Sequence, residues 1–481
     1  MSTEPTTDRT EPATDGTGTT AQGGGSTPDL RGVHTLARRT WESGRLRSLE
    51  ARREQLEGLK HLVREGGDEL AAALQQDLGK SPTEARTTEL SVVVTEVDYV
   101  LKHLKGWLEP RKAAVPLAFQ PASGRVRREP LGSVLIIGPW NYPVNLVLMP
   151  LVGALAGGNT VVLKPSELTP ATAEALARLV PRYLDPEVVQ VVNGGVPEST
   201  ALLELPWDHV FYTGGERVGR IVMRAAAEHL TPVTLELGGK SPTWVGTETD
   251  LRTAARRIVW SKFVNAGQTC VAPDHVLCTA STQAELVPEL ERAIREMFGD
   301  DPRTSADYGR IVTTEHAERL AGLVDGAAIG GEVDVAGRYL SPTVLTDVTD
   351  EHPAMAEEIF GPVLPIVPVA DVHDAIRRVN ARPHPLALYL FTDDLDEQDL
   401  WLASTRSGGV GINMPLVHVA VPELPFGGVG ASGMGNYHGL ASLETFTHER
   451  SVLSKPLAPD TMRIVYPPYG PVKQRLIRAV Q

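Results

Sequence analysis

The segment Val134-Leu135-Ile136-Ile137-Gly138-Pro139 is a short apolar run that stops abruptly at a glycine and a proline. Apolar runs of the same kind follow at residues 160–163, 188–192 and 209–212, with helix-like stretches such as 171–183 between them. Strands that are apolar throughout and alternate with helices are typical of a parallel sheet covered on both faces. The sequence therefore predicts an α/β fold in which ligands bind beyond the carboxyl ends of the strands.

A second series of strands and helices follows, and it predicts another α/β domain. The strand candidates are residues 243–245, 275–279, 343–345, 363–369 and 386–391, and the helix candidates are 254–263, 283–298 and 371–380. Ahead of the first sheet, apolar residues at helical spacing predict helices over residues 30–108. Residues 114–130 have no helical face and are predicted to form an extended arm, whereas residues 1–27 have little to bury and are predicted to be disordered.

The composition indicates a globular protein of two or three domains and argues against several classes of partner. The chain has 481 residues, of which 42% are hydrophobic, and a formal net charge of −14. An acidic chain without a basic stripe is a poor candidate for binding nucleic acid or an anionic membrane. No apolar run approaches the roughly 18 residues of a membrane span, and the N-terminus lacks the pattern of a signal peptide. We therefore expect no nucleic acid partner and no membrane span.

The two cysteines differ in their surroundings. Their number and spacing match neither a disulfide framework nor a zinc site, so we predict no metal and a reducing, cytoplasmic location. Cys278 lies in the predicted strand 275–279 and is interpreted as structural. Cys270 ends the polar segment Asn265-Ala266-Gly267-Gln268-Thr269-Cys270, and a turn follows at Pro273. A thiolate in such a loop can attack a carbonyl carbon, although a lone cysteine can also be a small buried apolar side chain.

Glycines follow the fourth apolar run of the first sheet. Gly214, Gly215 and Gly219 lie between the strand 209–212 and the predicted helix 220–229. Backbone N–H groups at a helix N-terminus can approach a phosphate there, because glycine has no side chain in the way. No Gly-x-Gly-x-x-Gly follows the first strand, so this loop is the candidate dinucleotide site. An ordinary Gly-Gly turn is the alternative.

Several separated motifs make the chain similar to aldehyde dehydrogenases, most closely to the class 3 group that includes fatty and aromatic aldehyde dehydrogenases. The motifs are Gly138-Pro139-Trp140-Asn141-Tyr142-Pro143, Lys164-Pro165-Ser166-Glu167, Leu235-Glu236-Leu237-Gly238-Gly239-Lys240-Ser241-Pro242, Asn265 to Cys270, Glu357-Glu358-Ile359-Phe360-Gly361-Pro362-Val363, and Pro425-Phe426-Gly427-Gly428-Val429-Gly430 with its continuation to Tyr437-His438-Gly439. The resemblance covers about residues 30–457 in order. It implies a Rossmann-type cofactor domain, a second α/β catalytic domain and a small β oligomerisation arm.

The resemblance also implies a division of the chain. The expected parts are a disordered tail at 1–27, an NAD(P)-binding domain at 28–113 and 131–235, a thiol-bearing catalytic domain at 236–410, an oligomerisation arm at 114–130 and 436–455, a return segment to the active site at 411–435, and a C-terminal extension at 456–481.

Three residues match the catalytic positions of the family. By resemblance, Cys270 attacks the aldehyde carbon, and the side-chain amide of Asn141 with the backbone N–H of Cys270 stabilises the oxyanion of the thiohemiacetal. Hydride transfer to the nicotinamide then leaves a thioester, and Glu236 matches the general base that activates water for hydrolysis. A turn residue is the alternative for Asn141, and a surface or ion-paired carboxylate is the alternative for Glu236.

A further set of residues matches positions that hold NAD or NADP. By resemblance, Lys164 and Glu167 hold the adenosine ribose, Glu358 holds the nicotinamide ribose, and Phe360 forms a ring wall beside it. The whole cofactor set is Trp140, Lys164, Ser166, Glu167, Gly214, Gly215, Gly219, Glu358 and Phe360. Gly215 replaces the usual serine, which removes a hydroxyl donor and keeps the backbone donors. Tyr142 and Phe426 resemble substrate-channel residues, with core packing as the alternative.

The expected function is NAD(P)-dependent oxidation of an aliphatic medium- or long-chain or aromatic aldehyde to the acid. A CoA-acylating dehydrogenase is one alternative, but such enzymes tend to lack the base that Glu236 matches. A thiol hydrolase and a non-catalytic cofactor-binding scaffold on the same fold are the others. The resemblance further implies a homodimer joined through the arm.

Overall fold

The computed structural model describes residues 29–480, so the predicted disordered tail at 1–27 lies outside the described residues. Within this range no helix combines the length and the apolar character needed to cross a bilayer. The α-helices are α1 Leu30–Glu42, α2 Leu49–Glu65, α3 Gly67–Leu78, α4 Pro82–Ala85, α5 Ser91–Leu108, α6 Asn145–Gly157, α7 Pro170–Tyr183, α8 Val196–Leu203, α9 Glu216–Ala227, α10 Leu251–Phe263, α11 Ala280–Phe298, α12 Thr314–Ala321, α13 Pro353–Ala356, α14 Val372–Asn380, α15 Leu395–Ser404, α16 Gly439–Thr445 and α17 Pro471–Val480.

The strands fall into four sheets within the described chain. They are β1 Arg111–Ala113, β2 Ser123–Pro130, β3 Ser133–Ile137, β4 Thr160–Lys164, β5 Val189–Val191, β6 His209–Thr213, β7 Val233–Glu236, β8 Pro242–Val245, β9 His275–Cys278, β10 Val333–Asp334, β11 Tyr339–Leu340, β12 Thr343–Leu345, β13 Val363–Pro368, β14 Ala387–Phe391, β15 Gly409–Ile412, β16 Gly433–Met434 and β17 Thr447–Ser454.

The first six-stranded sheet has the order β16-β7-β6-β3-β4-β5. Strands β7 to β5 run parallel, which confirms the prediction from the four apolar runs. Strand β16 pairs antiparallel with β7, and Gly433 lies opposite Glu236. Neither β7 nor β16 was predicted, because both are short and carry no extended apolar run. This pairing puts Glu236 at the carboxyl edge of the sheet.

The second six-stranded sheet has the order β12-β13-β9-β8-β14-β15, and all its pairs are parallel. The predicted strands of this half are present, with ends shifted by a residue or two. Cys278 is fully buried in β9, where it packs in the apolar core of this sheet. The α/β class predicted from the sequence is therefore confirmed for both halves.

A three-stranded antiparallel sheet, β1-β2-β17, stands apart from the other two large sheets. Its first strand begins at Arg111, three residues before the arm predicted at 114–130. The segment is not extended throughout, because Leu117–Phe119 forms a single helical turn after Pro116. Residues 439–445, which the sequence analysis assigned to the arm, form α16 instead, and this helix packs against α6 and α5. The late strand of the arm sheet thus starts at Thr447.

Helix α6 is apolar on every side and almost fully buried. Gly153 permits a close approach to α16, since a Cβ at that position would lie 2.6 Å from Cβ of Ser442. A helix held on all sides fixes the turn at its N-terminus, and that turn carries Asn141 and Tyr142.

Candidate active site

The loop that carries Cys270 is shaped by unusual backbone angles. Asn265, Ala266 and Gly267 all have positive φ, at 54°, 51° and 75°. Positive φ is costly for residues with a side chain, and such strain persists only where the surroundings enforce it. Gly267 is required by space as well, because a Cβ there would lie 2.3 Å from the carbonyl oxygen of Gly361. The loop is thereby fixed against the segment that carries Glu358.

Hydrogen bonds from buried side chains hold this loop in place. Gln268 donates to the carbonyl oxygens of Asn265 at 2.9 Å and Arg310 at 3.0 Å, and its own side-chain oxygen accepts from the N–H of Val312 at 2.9 Å. The carboxylate of Glu84 accepts from the N–H of Asn265 at 2.9 Å. The position of Cys270 is therefore set by a network with few free polar groups.

The thiol of Cys270 lies where two cavities meet. It is partly buried, and it lines two cavities. One, of about 260 Å³, includes the charged side chains of Glu236, Arg319 and Glu358 in its wall and is called the polar cavity; the other, of about 170 Å³, has a mainly apolar wall and is called the apolar cavity. Burial raises the pKa of the Cys270 thiol, and the charges of Glu358 and Glu236 raise it further. The backbone N–H groups of Cys270 and Val271 lower it in part, because they stabilise the thiolate. Reaction at this sulfur therefore depends on a group that removes its proton.

Asn141 is buried in the turn before α6 and lines the polar cavity together with Cys270. Its side-chain amide donates one N–H to the carbonyl oxygen of Gln268, at 3.1 Å. The same carbonyl accepts from the side chain of Asn265, at 3.0 Å. The other amide N–H of Asn141 has no acceptor among the residues that the structure describes and is available to an oxygen atom in the cavity.

Glu236 ends β7 and lies on the same cavity as Cys270 and Asn141. Its side chain is buried, and neither carboxylate oxygen has a hydrogen-bond partner among the described residues. Burial raises the pKa of Glu236 well above its usual range. A carboxyl group with a raised pKa and free oxygens can accept a proton near neutral pH.

The polar cavity has the features of a dinucleotide site. Helix α9 begins directly after Gly215, and no side chain of the described residues caps its N-terminal N–H groups. A Cβ on Gly215 would meet nothing within 4 Å, so the approach to these N–H groups is open. The buried hydroxyl of Thr213 beside them has no partner in the described chain. These unsatisfied donors fit a phosphate group.

Glu358 and three aromatic rings also line this cavity. Burial and the charge of Asp274 raise the pKa of Glu358 to about 8. The ring of Trp140 meets those of Phe360 and His316 edge-on, with centroids 5.2 Å apart in each pair. A carboxyl group beside flat apolar rings suits a sugar hydroxyl next to a planar ring.

Four residues of the predicted cofactor set do not line this cavity. Lys164 is buried at the end of β4, where it donates to the carbonyl oxygen of Pro165 at 2.8 Å and lies 3.6 Å from the carboxylate of Glu167. Burial lowers the pKa of Lys164, and Glu167 partly offsets this effect. The hydroxyl of Ser166 accepts from the N–H of Leu168 at 3.2 Å. Lys164, Ser166 and Glu167 therefore lie together at the end of β4, the strand beside β3, and not in the wall of this cavity.

Gly219 differs from its predicted place in the phosphate loop. Helix α9 starts at Glu216 and not at residue 220, so Gly219 lies inside its first turns and is buried. A Cβ there would lie 2.9 Å from the side chain of Leu237. Gly219 therefore serves the close packing of α9 on the neighbouring loop.

The apolar cavity receives both predicted channel residues. Tyr142 shares a hydrogen bond with the hydroxyl of Thr269 at 2.7 Å, and Phe426 pairs with Tyr437 through two backbone hydrogen bonds. The remaining wall is mainly apolar and includes Leu146, Met149, Trp260, Leu416, Val417, Val419 and His438. The cavity therefore suits an apolar chain or ring that ends at the thiol.

Several residues of the site were not predicted from the sequence. Lys240 forms a buried ion pair with Asp274 and donates to the carbonyl oxygens of Ala354 at 2.8 Å and Glu357 at 2.9 Å. Asp274 also accepts from the N–H of Ile359 at 2.9 Å. Lys240 lies in one of the family motifs, which was the only sequence signal for it. Its partners could not be predicted, because they are distant in sequence.

A free thiol, an amide donor and a buried carboxyl group surround one cavity, and a helix N-terminus opens into it. These are the parts of an enzyme that acts on a carbonyl group beside a dinucleotide. The chain belongs to the aldehyde dehydrogenase family, whose family model matches residues 1–452. Its reaction is the NAD(P)-dependent oxidation of an aldehyde, as the sequence predicted.

Individual relatives agree with this assignment. The protein named "Aldehyde dehydrogenase, dimeric NADP-preferring" of Rattus norvegicus is 48% identical over 435 residues, covering 90% of this chain and 96% of the relative. "Aldehyde dehydrogenase family 3 member A2" of Mus musculus is 48% identical over 434 residues, covering 90% of each chain. The structure titled "Substrate bound state of Staphylococcus Aureus AldH" is similar with a TM-score of 0.91 at 41% identity, covering 94% of this chain and 99% of that one.

Proposed function

We propose that Cys270 is the nucleophile, that Asn141 and the backbone N–H of Cys270 bind the oxyanion, and that Glu236 is the base for hydrolysis. The observation that carries this proposal is the thiol between two unlike cavities, with Glu236 and Asn141 both on the polar one. A stopped-flow record of reduced nicotinamide, with aldehyde in excess over enzyme, tests it. The record should show the first hydride transfer as one phase and the later turnovers, which wait for hydrolysis, as a second phase.

We propose the following order of events for these groups. The Cys270 thiol gives its proton to water, the resulting thiolate bonds to the aldehyde carbon, and the new oxyanion accepts from the free N–H of Asn141. NAD(P)+, held by the N-terminus of α9 and by Glu358, would supply the hydride acceptor, and a thioester would then remain on Cys270. Glu236 then takes a proton from water as the water oxygen bonds to the acyl carbon. The carbon–sulfur bond breaks, which releases the acid and restores the thiolate.

Two alternatives of the sequence analysis each conflict with one feature of the site. A CoA-acylating enzyme needs no base for water, whereas Glu236 is buried and neither of its carboxylate oxygens has a partner among the described residues. A cofactor-binding scaffold needs no amide with a spare N–H beside a thiol. We therefore propose release of the free acid, and an apolar aliphatic or aromatic aldehyde as substrate because the channel wall is mainly apolar.

We propose that both NAD and NADP are accepted. The relative from Rattus norvegicus is named as NADP-preferring, and a related structure is titled as a complex of indole-3-acetaldehyde dehydrogenase with NAD+, at 28% identity and a TM-score of 0.81 over 89% of each chain. In this chain Glu167 is half exposed and bonds only loosely to Lys164. An exposed carboxylate can turn away from a 2′-phosphate, so its repulsion is small.

We expect Glu167→Gln to raise the ratio of kcat/KM for NADP over NAD by about fivefold. Two charges 4 Å apart in water interact by about 1 kcal/mol, which corresponds to a factor of about five. Steady-state rates with each cofactor measure this ratio. Glu174→Gln is the matched control, because it removes the same charge from an exposed side chain of α7, the helix that follows Glu167 in the chain. An equal change with both cofactors would contradict the placement of Glu167 beside the ribose.

We propose a homodimer joined through the arm sheet β1-β2-β17. The outer edge of β17 pairs with no strand of the described chain. Large apolar side chains are exposed around it, with 88% of Leu117, 47% of Phe119 and 67% of Leu453 accessible to solvent. An unpaired edge with exposed apolar residues favours strand pairing with another chain.

Light scattering at micromolar concentration should give twice the chain mass of 51.8 kDa. Replacement of Leu117 and Leu453 together by aspartate should shift the protein towards monomer, because charges would then occupy the interface. Leu230→Asp is the control, since Leu230 is 90% exposed at the end of α9 and outside the arm. If light scattering gave the mass of a monomer for the wild-type protein, the arm interface would be wrong. If it gave the mass of a tetramer, only the proposal that assembly stops at a dimer would be wrong.

A further inference from the structure

A buried ion pair lies behind the catalytic turn. Lys80 follows α3, and Glu89 lies in the single π-helical turn Arg86–Leu90 between α4 and α5. The two side chains have no solvent exposure, and the ammonium group donates to the Glu89 carboxylate at 2.5 Å. A buried ion pair is a poor source of stability, because desolvation of both charges offsets their attraction. Its other contacts therefore indicate what it does.

Both charged side chains form hydrogen bonds with the turn that carries Asn141. The ammonium group of Lys80 also donates to the backbone carbonyl oxygen of Asn141, at 2.9 Å. The second oxygen of Glu89 accepts from the N–H groups of Val144 at 3.0 Å and Asn145 at 2.9 Å. The pair thus holds the turn at its start and at its end, and it satisfies two N–H groups where α6 begins.

The turn is held on its remaining sides as well. Lys80 lies over the ring of Tyr142, 4.0 Å from its centroid. The carbonyl oxygen of Asn141 accepts a second hydrogen bond, from the side chain of Asn265 at 2.8 Å. The amide of Asn141 then donates to the carbonyl oxygen of Gln268, two residues before Cys270. One continuous chain of contacts therefore joins the ion pair to the amide and to the nucleophile's loop.

We propose that Lys80 and Glu89 are positioning residues, which fix the Asn141 amide at the place where the oxyanion forms. The inference rests on the proposed function, because it takes Asn141 as the oxyanion donor. A preorganised donor is effective because it needs no movement when charge develops on the substrate oxygen. A charged pair suits this task, since it forms strong hydrogen bonds to three backbone groups of one turn.

A double-mutant cycle tests whether the pair acts through Asn141. The variants are Lys80→Gln with Glu89→Gln, Asn141→Ala, and the triple variant, and the readout is the single-turnover rate of hydride transfer. We expect Asn141→Ala to slow this rate about 100-fold and the neutral pair to slow it about tenfold. The triple variant should be no slower than Asn141→Ala, because the pair has no other route to the oxyanion. Cofactor binding by the pair variant should stay at the wild-type level.

The controls separate the possible failures. Lys60→Gln with Asp98→Asn removes an ion pair between α2 and α5, with N and O atoms 2.5 Å apart near the surface, and should leave the rate unchanged. A normal rate for the pair variant, or a further tenfold loss in the triple variant, would overturn the inference alone. A normal rate for Asn141→Ala would overturn the oxyanion assignment first.

A milder variant covers the case in which the neutral pair prevents folding. Lys80→Arg keeps the charge and the donors but displaces them from the carbonyl oxygen of Asn141. It should fold, slow hydride transfer several-fold, and have no effect in the Asn141→Ala background. Equal slowing in both backgrounds would show that the pair does not act through the amide, and would overturn the inference.

Discussion

Cys270→Ser should lose essentially all dehydrogenase turnover, by at least about 10⁴-fold, while NAD(P) binding persists. A serine hydroxyl is far less acidic than a thiol, and the buried site already raises the pKa of the group that stands there. Without a nucleophile no thiohemiacetal forms, so no hydride can leave. Steady-state absorbance at saturating aldehyde measures turnover, and nicotinamide quenching of protein fluorescence measures binding.

Cys278→Ala is the matched control for this experiment. Cys278 is fully buried in β9, and burial raises the pKa of its thiol to about 12. Its loss should lower stability modestly through a small cavity and leave turnover near the wild-type level. Substantial turnover by Cys270→Ser, or loss of turnover in Cys278→Ala without unfolding, would contradict the assignment of the nucleophile.

Glu236→Gln should keep a rapid first turnover and then hydrolyse the thioester about 10²- to 10⁴-fold more slowly. Glutamine fills the same space but cannot take a proton from water. The reduced nicotinamide should therefore appear in a burst of about one equivalent per site, followed by a slow steady phase. Glu228→Gln is the control, because Glu228 is exposed directly after α9. This variant should show the same burst and steady phase of reduced nicotinamide as the wild-type protein.

The pH dependence of the same phase gives a second readout. Burial raises the pKa of Glu236, so the carboxylate form that accepts a proton becomes populated only as the pH rises through that raised pKa. Wild-type hydrolysis should increase over this range, and the Glu236→Gln variant should lose the increase. Loss of the burst itself would instead place Glu236 in an earlier step or in folding.

Much of this fold could be predicted from the sequence, because buried parallel strands such as β3 and β6 contain uninterrupted apolar runs, at residues 134–137 and 210–212. Strand β7 was missed, since its four residues include a threonine and a glutamate. The boundary of the arm was also misplaced, because the helical character of α16 is weak over seven residues. The local sequence pattern therefore locates long apolar elements, whereas the formation of short elements depends on tertiary contacts.

The catalytic candidates could be read from motifs, but their supports could not. Lys80 and Asn141 are 61 positions apart, and Asn141 and Gln268 are 127 apart. Nothing in the local sequence around Lys80 indicates which carbonyl it reaches. The motif likewise suggested Gly219 for phosphate, and only the start of α9 shows that it packs on Leu237.

The proposed active site takes its residues from both six-stranded sheets. Glu236 ends β7 and Asn141 follows β3 in the first sheet, and Cys270 precedes β9 of the second, with two amide-to-carbonyl hydrogen bonds linking Asn141 to the thiol's loop. Neither half can therefore gain catalytic competence alone, even if each regains its own secondary structure. During refolding from denaturant, recovery of turnover should lag behind recovery of circular dichroism, and the lag reports the rate at which the two halves dock.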